Sequence, residues 1–245
     1  MSLYSTVKHA YKRLLPKPLR HAVFVAMPQP FKKLRYRLIR VLEQTAEHDE
    51  IYDADYYNEV VKKYMAESSD TIADTIIQAF SPRTAVDVGC GTGLLLLAMK
   101  SRGVSVHGLE YSQTALSIAR QRGIDVTKFD LEHDTLPLEL KAEVVISTEV
   151  AEHLPESCAD RFVDILCAIA PNVVLTAAQP GALCTGTDHV NEQTNEYWIA
   201  KFGAQNLKFE SDLTYQWRQE WKARDVSACY WQNVMVFRNK LCDHV

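Results

Sequence analysis

The ten residues from Thr84 to Gly93, T-A-V-D-V-G-C-G-T-G, constrain this chain more than any other stretch. Ala85, Val86 and Val88 give the apolar run of a buried strand, and Leu94-Leu95-Leu96-Leu97-Ala98-Met99 gives the apolar body of a helix directly behind it. Between the two, Gly89, Gly91 and Gly93 can adopt positive φ without a Cβ penalty and let the backbone approach a ligand closely. A strand, a glycine turn and a helix in this order read as a cradle for a small cofactor. The spacing is G-x-G-x-G, whereas a dinucleotide fingerprint sets its third glycine one residue later, where this chain has Leu94. No G-K-S/T follows, which excludes a phosphate-binding P-loop.

Further strands follow at the spacing of an α/β domain. Val104 to Leu109 reads as a second strand that delivers Glu110 at its end, where such folds place an acid for ribose hydroxyls. Phe129-Asp130-Leu131 closes a third, Ala142 to Ser147 forms a fourth, and Val173 to Thr176 a fifth. The segments near Leu207 to Tyr215 and Ala228 to Phe237 read as a terminal hairpin, and Asp55 to Val61 and Thr71 to Phe80 as lead-in helices. Either acid alone could be a solvated loop carboxylate. Together behind the glycine turn, Asp87, Glu110 and Asp130 give a pattern that resembles the class I S-adenosylmethionine-dependent methyltransferases, over residues 84 to 237. The resemblance implies an α/β, Rossmann-like fold: a seven-stranded, mostly parallel sheet with an antiparallel C-terminal hairpin. It also implies that Asp87, Gly89, Cys90, Gly91 and Gly93 hold the methionine end of the cofactor. Glu110, with Tyr111 beside it, then serves the ribose, and Asp130 with Leu131 lies along the adenine.

A second site follows the fourth strand, at Glu149-Val150-Ala151-Glu152-His153-Leu154. Read as the first turn of a helix, spacings of three and four residues put Glu149, Glu152 and His153 on one face, at the rim where α/β sheets bind ligands. After the fifth strand, Asp188-His189-Val190-Asn191-Glu192 offers His189 as a fourth ligand to a divalent metal. Carboxylate and imidazole donors together suit Mn²⁺ or Zn²⁺ more clearly than Mg²⁺. An E-x-x-E-H turn followed by a later histidine resembles the small-RNA terminal 2′-O-methyltransferases, in which the corresponding side chains hold a divalent cation. Its first three positions also resemble the ubiquinone-biosynthesis O-methyltransferases. Two other readings stand beside the metal: His153 or His189 moves a proton with Glu149 touching the cofactor, or these side chains are structural.

A hydroxyl acceptor gives such a cage a purpose, because a cation on the oxygen lowers its pKa and favours acceptors with a neighbouring hydroxyl. The loop from Gln179 to Trp198 is polar, and its amides, with Tyr197, Trp198 and Trp217, are what a carbohydrate pocket would use. This loop resembles those of bacterial glycan-associated methyltransferases, so a lipid-linked or nucleotide-linked sugar is the expected acceptor. The alternatives are a catechol quinone precursor, an RNA terminus, or a non-catalytic cofactor-binding scaffold recruited to a membrane.

Charge divides the chain more informatively than its sum. Residues 1 to 40 hold ten Lys or Arg and no acid, leaving 17 basic against 31 acidic residues for the rest. We therefore expect a basic amphipathic helical extension over residues 1–47 and a methyltransferase domain over 48–245. With Phe31, Leu34 and Leu38 on one helical face, residues 1 to 40 could lie peripherally on an anionic membrane or pack on the acidic domain. The acidic remainder makes a long nucleic-acid track an unsuitable partner. Six cysteines without a C-x-x-C pair read as the reduced thiols of a cytoplasmic protein. The residues leave the oligomeric state open.

Overall fold

The computed structural model describes residues 6, 7, 10, 51–57, 62–180 and 189–239. The chain divides into two compact units, Met1–Asp53 and Ala54–Val245, and every site residue singled out above lies in the second. The basic face from Phe31 to Leu38 lies outside the described residues, as do residues 181–188 of the polar loop, Asp188 among them. No helix among the described residues is long and apolar enough to cross a membrane.

The sheet runs β3-β2-β1-β4-β5-β7-β6. Its strands are β1 (Thr84–Val88), β2 (Ser105–Glu110), β3 (Val126–Lys128), β4 (Val144–Thr148), β5 (Asn172–Thr176), β6 (Leu207–Phe209) and β7 (Val234–Asn239). The first five pair in parallel, and β7 runs antiparallel to both β5 and β6. A parallel sheet is covered on both faces, and its strands accordingly read as near-continuous apolar runs. Val86, Val88, Val145, Val173 and Phe237 bury one face, which α4 (Ala159–Ile169) and α5 (Asn195–Ala204) cover with Phe162, Leu166 and Phe202. Ala85, Ile146, Val174 and Val236 bury the other, against Ile72, Ile76, Leu95 and Met99 of α1 (Lys62–Phe80) and α2 (Leu94–Ser101). Between β2 and β3 runs α3 (Gln113–Gln121), capped by Ser112, whose hydroxyl accepts from the Ala115 N–H. Strand order reverses between β1 and β4, and the carboxyl ends at this switch point are where α/β folds bind ligands.

The expected terminal hairpin is antiparallel, but its strands are shorter than the sequence suggested. After three residues of β6 the chain enters α6 (Ser211–Ala223) and then α7 (Ala228–Asn233), so Tyr215 and Ala228 are helical. Trp217 and Trp221 explain the outcome. They recur four residues apart, stack at 5.6 Å between centroids, and are fully buried against α1, where the Trp221 indole donates to the Thr75 hydroxyl at 3.1 Å. Trp198 is also 1% exposed and packs edge-on to Phe162. Neither Trp198 nor Trp217 presents a face to a sugar, which corrects that part of the sequence reading.

Gly89, Gly91 and Gly93 all take left-handed φ, at 76°, 53° and 72°. At Gly89 a Cβ would also lie 2.4 Å from Val150 Cγ2, so the glycine turn and the turn after β4 are packed against each other. A side chain at Gly89 therefore meets both a strained φ, about 1–2 kcal/mol, and a clash. Gly89→Ala is expected to lower the thermal midpoint by several degrees, with only part of that recovered by adding Val150→Ala. Scanning calorimetry of both variants checks this, and an unchanged midpoint would show that the two turns are not in contact.

Candidate functional site

The glycine turn and the second strand are held together by one carboxylate. Glu110 Oε2 accepts from the Gly91 N–H at 2.8 Å, and its Oε1 accepts from the Ser112 N–H at 2.7 Å. Asp87, one residue from the end of β1, is 2% exposed, and its Oδ1 is buried without a hydrogen-bond partner. Burial, with the Glu110 charge added to it, pushes the Asp87 carboxyl up to about 8. Cys90 is buried behind the turn, where burial and the same two acids push its thiol well up.

The other expected cofactor residues line the next loops. Tyr111 is 43% exposed, and Lys128 Nζ lies 5.5 Å from its ring centre. Asp130 follows β3; its Oδ1 accepts from the Glu132 N–H at 2.8 Å, and His133 Nδ1 lies 3.1 Å from its Oδ2. Burial pushes Asp130 up, but these partners outweigh it and hold the carboxyl below its usual range. The carbonyl of Leu131 accepts from Arg161 at 2.7 Å, which ties this loop to α4.

The turn after β4 departs from the helical geometry expected of it. Glu149 sits at φ 53° and remains tied to β5, its N–H donating to the carbonyl and hydroxyl oxygens of Thr176 at 2.9 and 3.0 Å. Only a single 3₁₀ turn follows, Ala151–His153, and the next residues are Leu154 and Pro155. A residue before proline is driven out of the α region, which ends the turn there. One ligand atom each of Glu152, His153 and His189 lies within 4.8 Å of the others. Glu149 stands outside that group of three, with its Oε1 accepting from Asn233 Nδ2 at 3.2 Å.

The electrostatics of the group are unusual for an interior. Glu152 is wholly buried, and neither of its oxygens meets a hydrogen-bond partner of good geometry. Burial pushes both Glu149 and Glu152 up, and the neighbouring Glu149 charge pushes Glu152 further. The His189 side chain is 4% exposed; its Nδ1 is 2.9 Å from Glu192 Oε1 and its Nε2 is 4.0 Å from Glu152 Oε1. The Glu192 contact at Nδ1 orients the ring so that Nε2 faces Glu152, the orientation a metal-ligating histidine takes from such a partner. The rings of His153 and His189 meet edge-on at 4.9 Å. Segment 189–193 is strapped to this turn, because the N–H groups of Val190 and Asn191 both donate to the Glu152 carbonyl, at 2.9 and 3.0 Å.

Several contributors escape a reading by motif. Glu192 stands three residues from His189 and was visible as a neighbour, but its orienting role needs the fold. Thr176 ends the strand beside β4, and Asn233 arrives from α7, distant in sequence from Glu149. Tyr230, one turn before Asn233, is 6% exposed, and burial, with Cys229, Glu149, Tyr56 and Asp87 around it, pushes its phenol well up.

A family model described as a methyltransferase domain matches residues 57–220. Over 158 residues the chain is 29% identical to the ubiquinone biosynthesis O-methyltransferase of Hahella chejuensis, covering 61% of this chain and 61% of that protein. Over 89 residues it is 36% identical to the protein of the same name from Nitrosomonas europaea, covering 34% of this chain and 38% of that one. The chain thus matches less than two thirds of the length of these curated relatives. Among solved structures, the S-adenosylmethionine-bound amino pentose methyltransferase of calicheamicin biosynthesis from Micromonospora echinaspora shares the fold. It superposes with a TM-score of 0.55 at 21% identity, over 78% of this chain and 97% of that one.

Proposed function

Because the chain belongs to the methyltransferase domain family, with the class I S-adenosylmethionine-dependent fold, we propose that it is a metal-assisted O-methyltransferase. In this reading it moves the sulfonium methyl of S-adenosylmethionine to a hydroxyl of a small acceptor, with a divalent cation held by Glu152, His153 and His189. The observation that carries it is the convergence of those three side chains within 4.8 Å, with both Glu152 oxygens buried and neither meeting a hydrogen-bond partner of good geometry. A buried carboxylate in that condition costs several kcal/mol unless a cation or donors reach it. The donor set fits Mn²⁺ or Zn²⁺. When bound, the cation would lower the pKa of the acceptor hydroxyl and favour an acceptor with a second oxygen beside it.

The remaining work falls to the chain itself. Asp87 and the turn from Gly89 to Gly93 would hold the methionine end of the cofactor, Glu110 the ribose, and Asp130 with Leu131 the adenine. Glu192 orients the His189 ring through its contact at Nδ1, and Asn233 keeps Glu149 beside Glu152. The acceptor oxygen then bonds to the methyl carbon as the carbon–sulfur bond breaks, leaving S-adenosylhomocysteine, and the hydroxyl proton departs to solvent. Holding oxygen, carbon and sulfur in line lowers the barrier by prepaying orientational entropy.

Sugars, catechols and the 2′,3′ end of RNA all satisfy the requirement for a vicinal oxygen, and the first two have support beyond it. A catechol is favoured by the curated relatives, whose names place them in ubiquinone biosynthesis. A sugar or glycan precursor is favoured by the polar residues Gln193 and Asn195 that follow His189 in the chain, although the buried tryptophans no longer support it. Transfer of a radiolabelled methyl group to a dihydroxybenzoate and to nucleotide sugars separates the two. Treatment with EDTA is expected to cut transfer by about 100-fold or more, with recovery on adding Mn²⁺ or Zn²⁺. A full rate in the chelator would remove the cation from the mechanism.

A further inference from the structure

Asp87 and Glu110 sit side by side at the ends of adjacent strands, and the fold treats them unequally. β1 and β2 pair in parallel with Asp87 opposite Gly108, two residues before Glu110. Two backbone N–H groups at this corner, those of Gly91 and Ser112, go to Glu110, and those of Gly89 and Cys90 go to the Leu109 carbonyl. No donor reaches the carboxyl group of Asp87 among the described residues, and its Oδ1 is sealed from solvent. The other titratable groups around it are Cys90 in the turn and Tyr230 on α7, and both are neutral at physiological pH because burial raises them. No Lys, Arg or His among the described residues offsets its charge. A buried carboxylate with no donor and an ionised neighbour is more stable with a proton on it.

The cofactor changes that balance, because S-adenosylmethionine carries a permanent sulfonium charge and an ammonium group. Resting on the assignment of this turn to the cofactor, we propose that uptake of S-adenosylmethionine is proton-linked at Asp87. The empty protein holds a proton on this carboxyl, and the arriving cation displaces it to solvent as the ion pair forms. One group on β1 thereby makes cofactor affinity rise with pH while the charge on the cofactor stays constant.

Calorimetric titration of the full chain with S-adenosylmethionine tests this between pH 5.5 and 6.5, below the titration of the cofactor amine. Running it in phosphate and in Bis-Tris, whose ionisation enthalpies differ, counts the protons exchanged. The expected result is close to one proton released per cofactor bound, with affinity rising about tenfold over that pH unit. Asp87→Asn is expected to bind more weakly, with no proton released and no pH slope. Binding by the native chain without proton release would overturn the proposal and leave the cofactor assignment standing, as would an unchanged count in the variant. A complete absence of binding would overturn both. The count on the native chain requires no variant to fold.

Discussion

Asp87→Asn is expected to stabilise the cofactor-free protein at pH 7 while weakening its hold on S-adenosylmethionine by about 10- to 100-fold. Its folded-state pKa of about 8 lies above the unfolded value near 3.9. Asp87 therefore costs nothing below about pH 4, costs progressively more as pH rises, and reaches its full penalty near pH 8. At pH 7 the penalty is on the order of 4 kcal/mol. Asparagine removes the ionisation but still buries an amide, so a net gain of about 1–3 kcal/mol is expected. For a domain of this size, that raises the thermal midpoint by about 2–10 °C. The gain should shrink as pH falls towards 4. Thermal unfolding of both proteins across that range checks the expectation, and equal midpoints at every pH would show that Asp87 is not held as a buried acid.

The parts of the site that a sequence shows are those made by neighbours in the chain. Gly89, Gly91 and Gly93 needed only their spacing, and Glu110 only the end of a strand, because turn and strand end are local. The sheet followed for the same reason: its apolar runs in β4 and β5 are long and bounded. The group Glu152, His153 and His189 was legible as residue types, but its geometry was not. Glu149 to His153 has helical spacing, yet the Thr176 oxygens hold Glu149 in a left-handed turn and Pro155 stops the chain after one 3₁₀ turn. Asn233 and Tyr230 had no local signal at all, since α7 reaches Glu149 only through the antiparallel return of β7. The tryptophans misled for the opposite reason. Aromatic residues near a polar loop in sequence suggested a pocket, whereas Trp217 and Trp221 at helical spacing were a core pattern.

Glu152→Gln should show the same opposition between stability and function at the second site, with a larger effect on catalysis. Glu152 is the one acid in the group of three and has no good partner for either oxygen, while the adjacent Glu149 carboxylate opposes its ionisation. Its pKa is raised on folding, so the stability it contributes is present at low pH and lost as pH rises. The glutamine variant removes that loss and is expected to unfold at a higher temperature than the native chain at pH 7 in the absence of metal. Loss of an anionic ligand is also expected to weaken Mn²⁺ or Zn²⁺ binding and to cut methyl transfer by about 100-fold or more. Cofactor affinity should change far less than methyl transfer, because Glu152 is none of the residues assigned to the cofactor. A fold that keeps two buried acids, Asp87 and Glu152, with the half-buried Glu149 beside them, in surroundings that disfavour their charge is less stable than it could be, which is the condition expected of a site built for cations. Metal titration, methyl transfer and unfolding of Glu152→Gln measure these separately. Full activity with undiminished metal binding would sink the assignment of Glu152 as a ligand, whatever happened to the melting temperature.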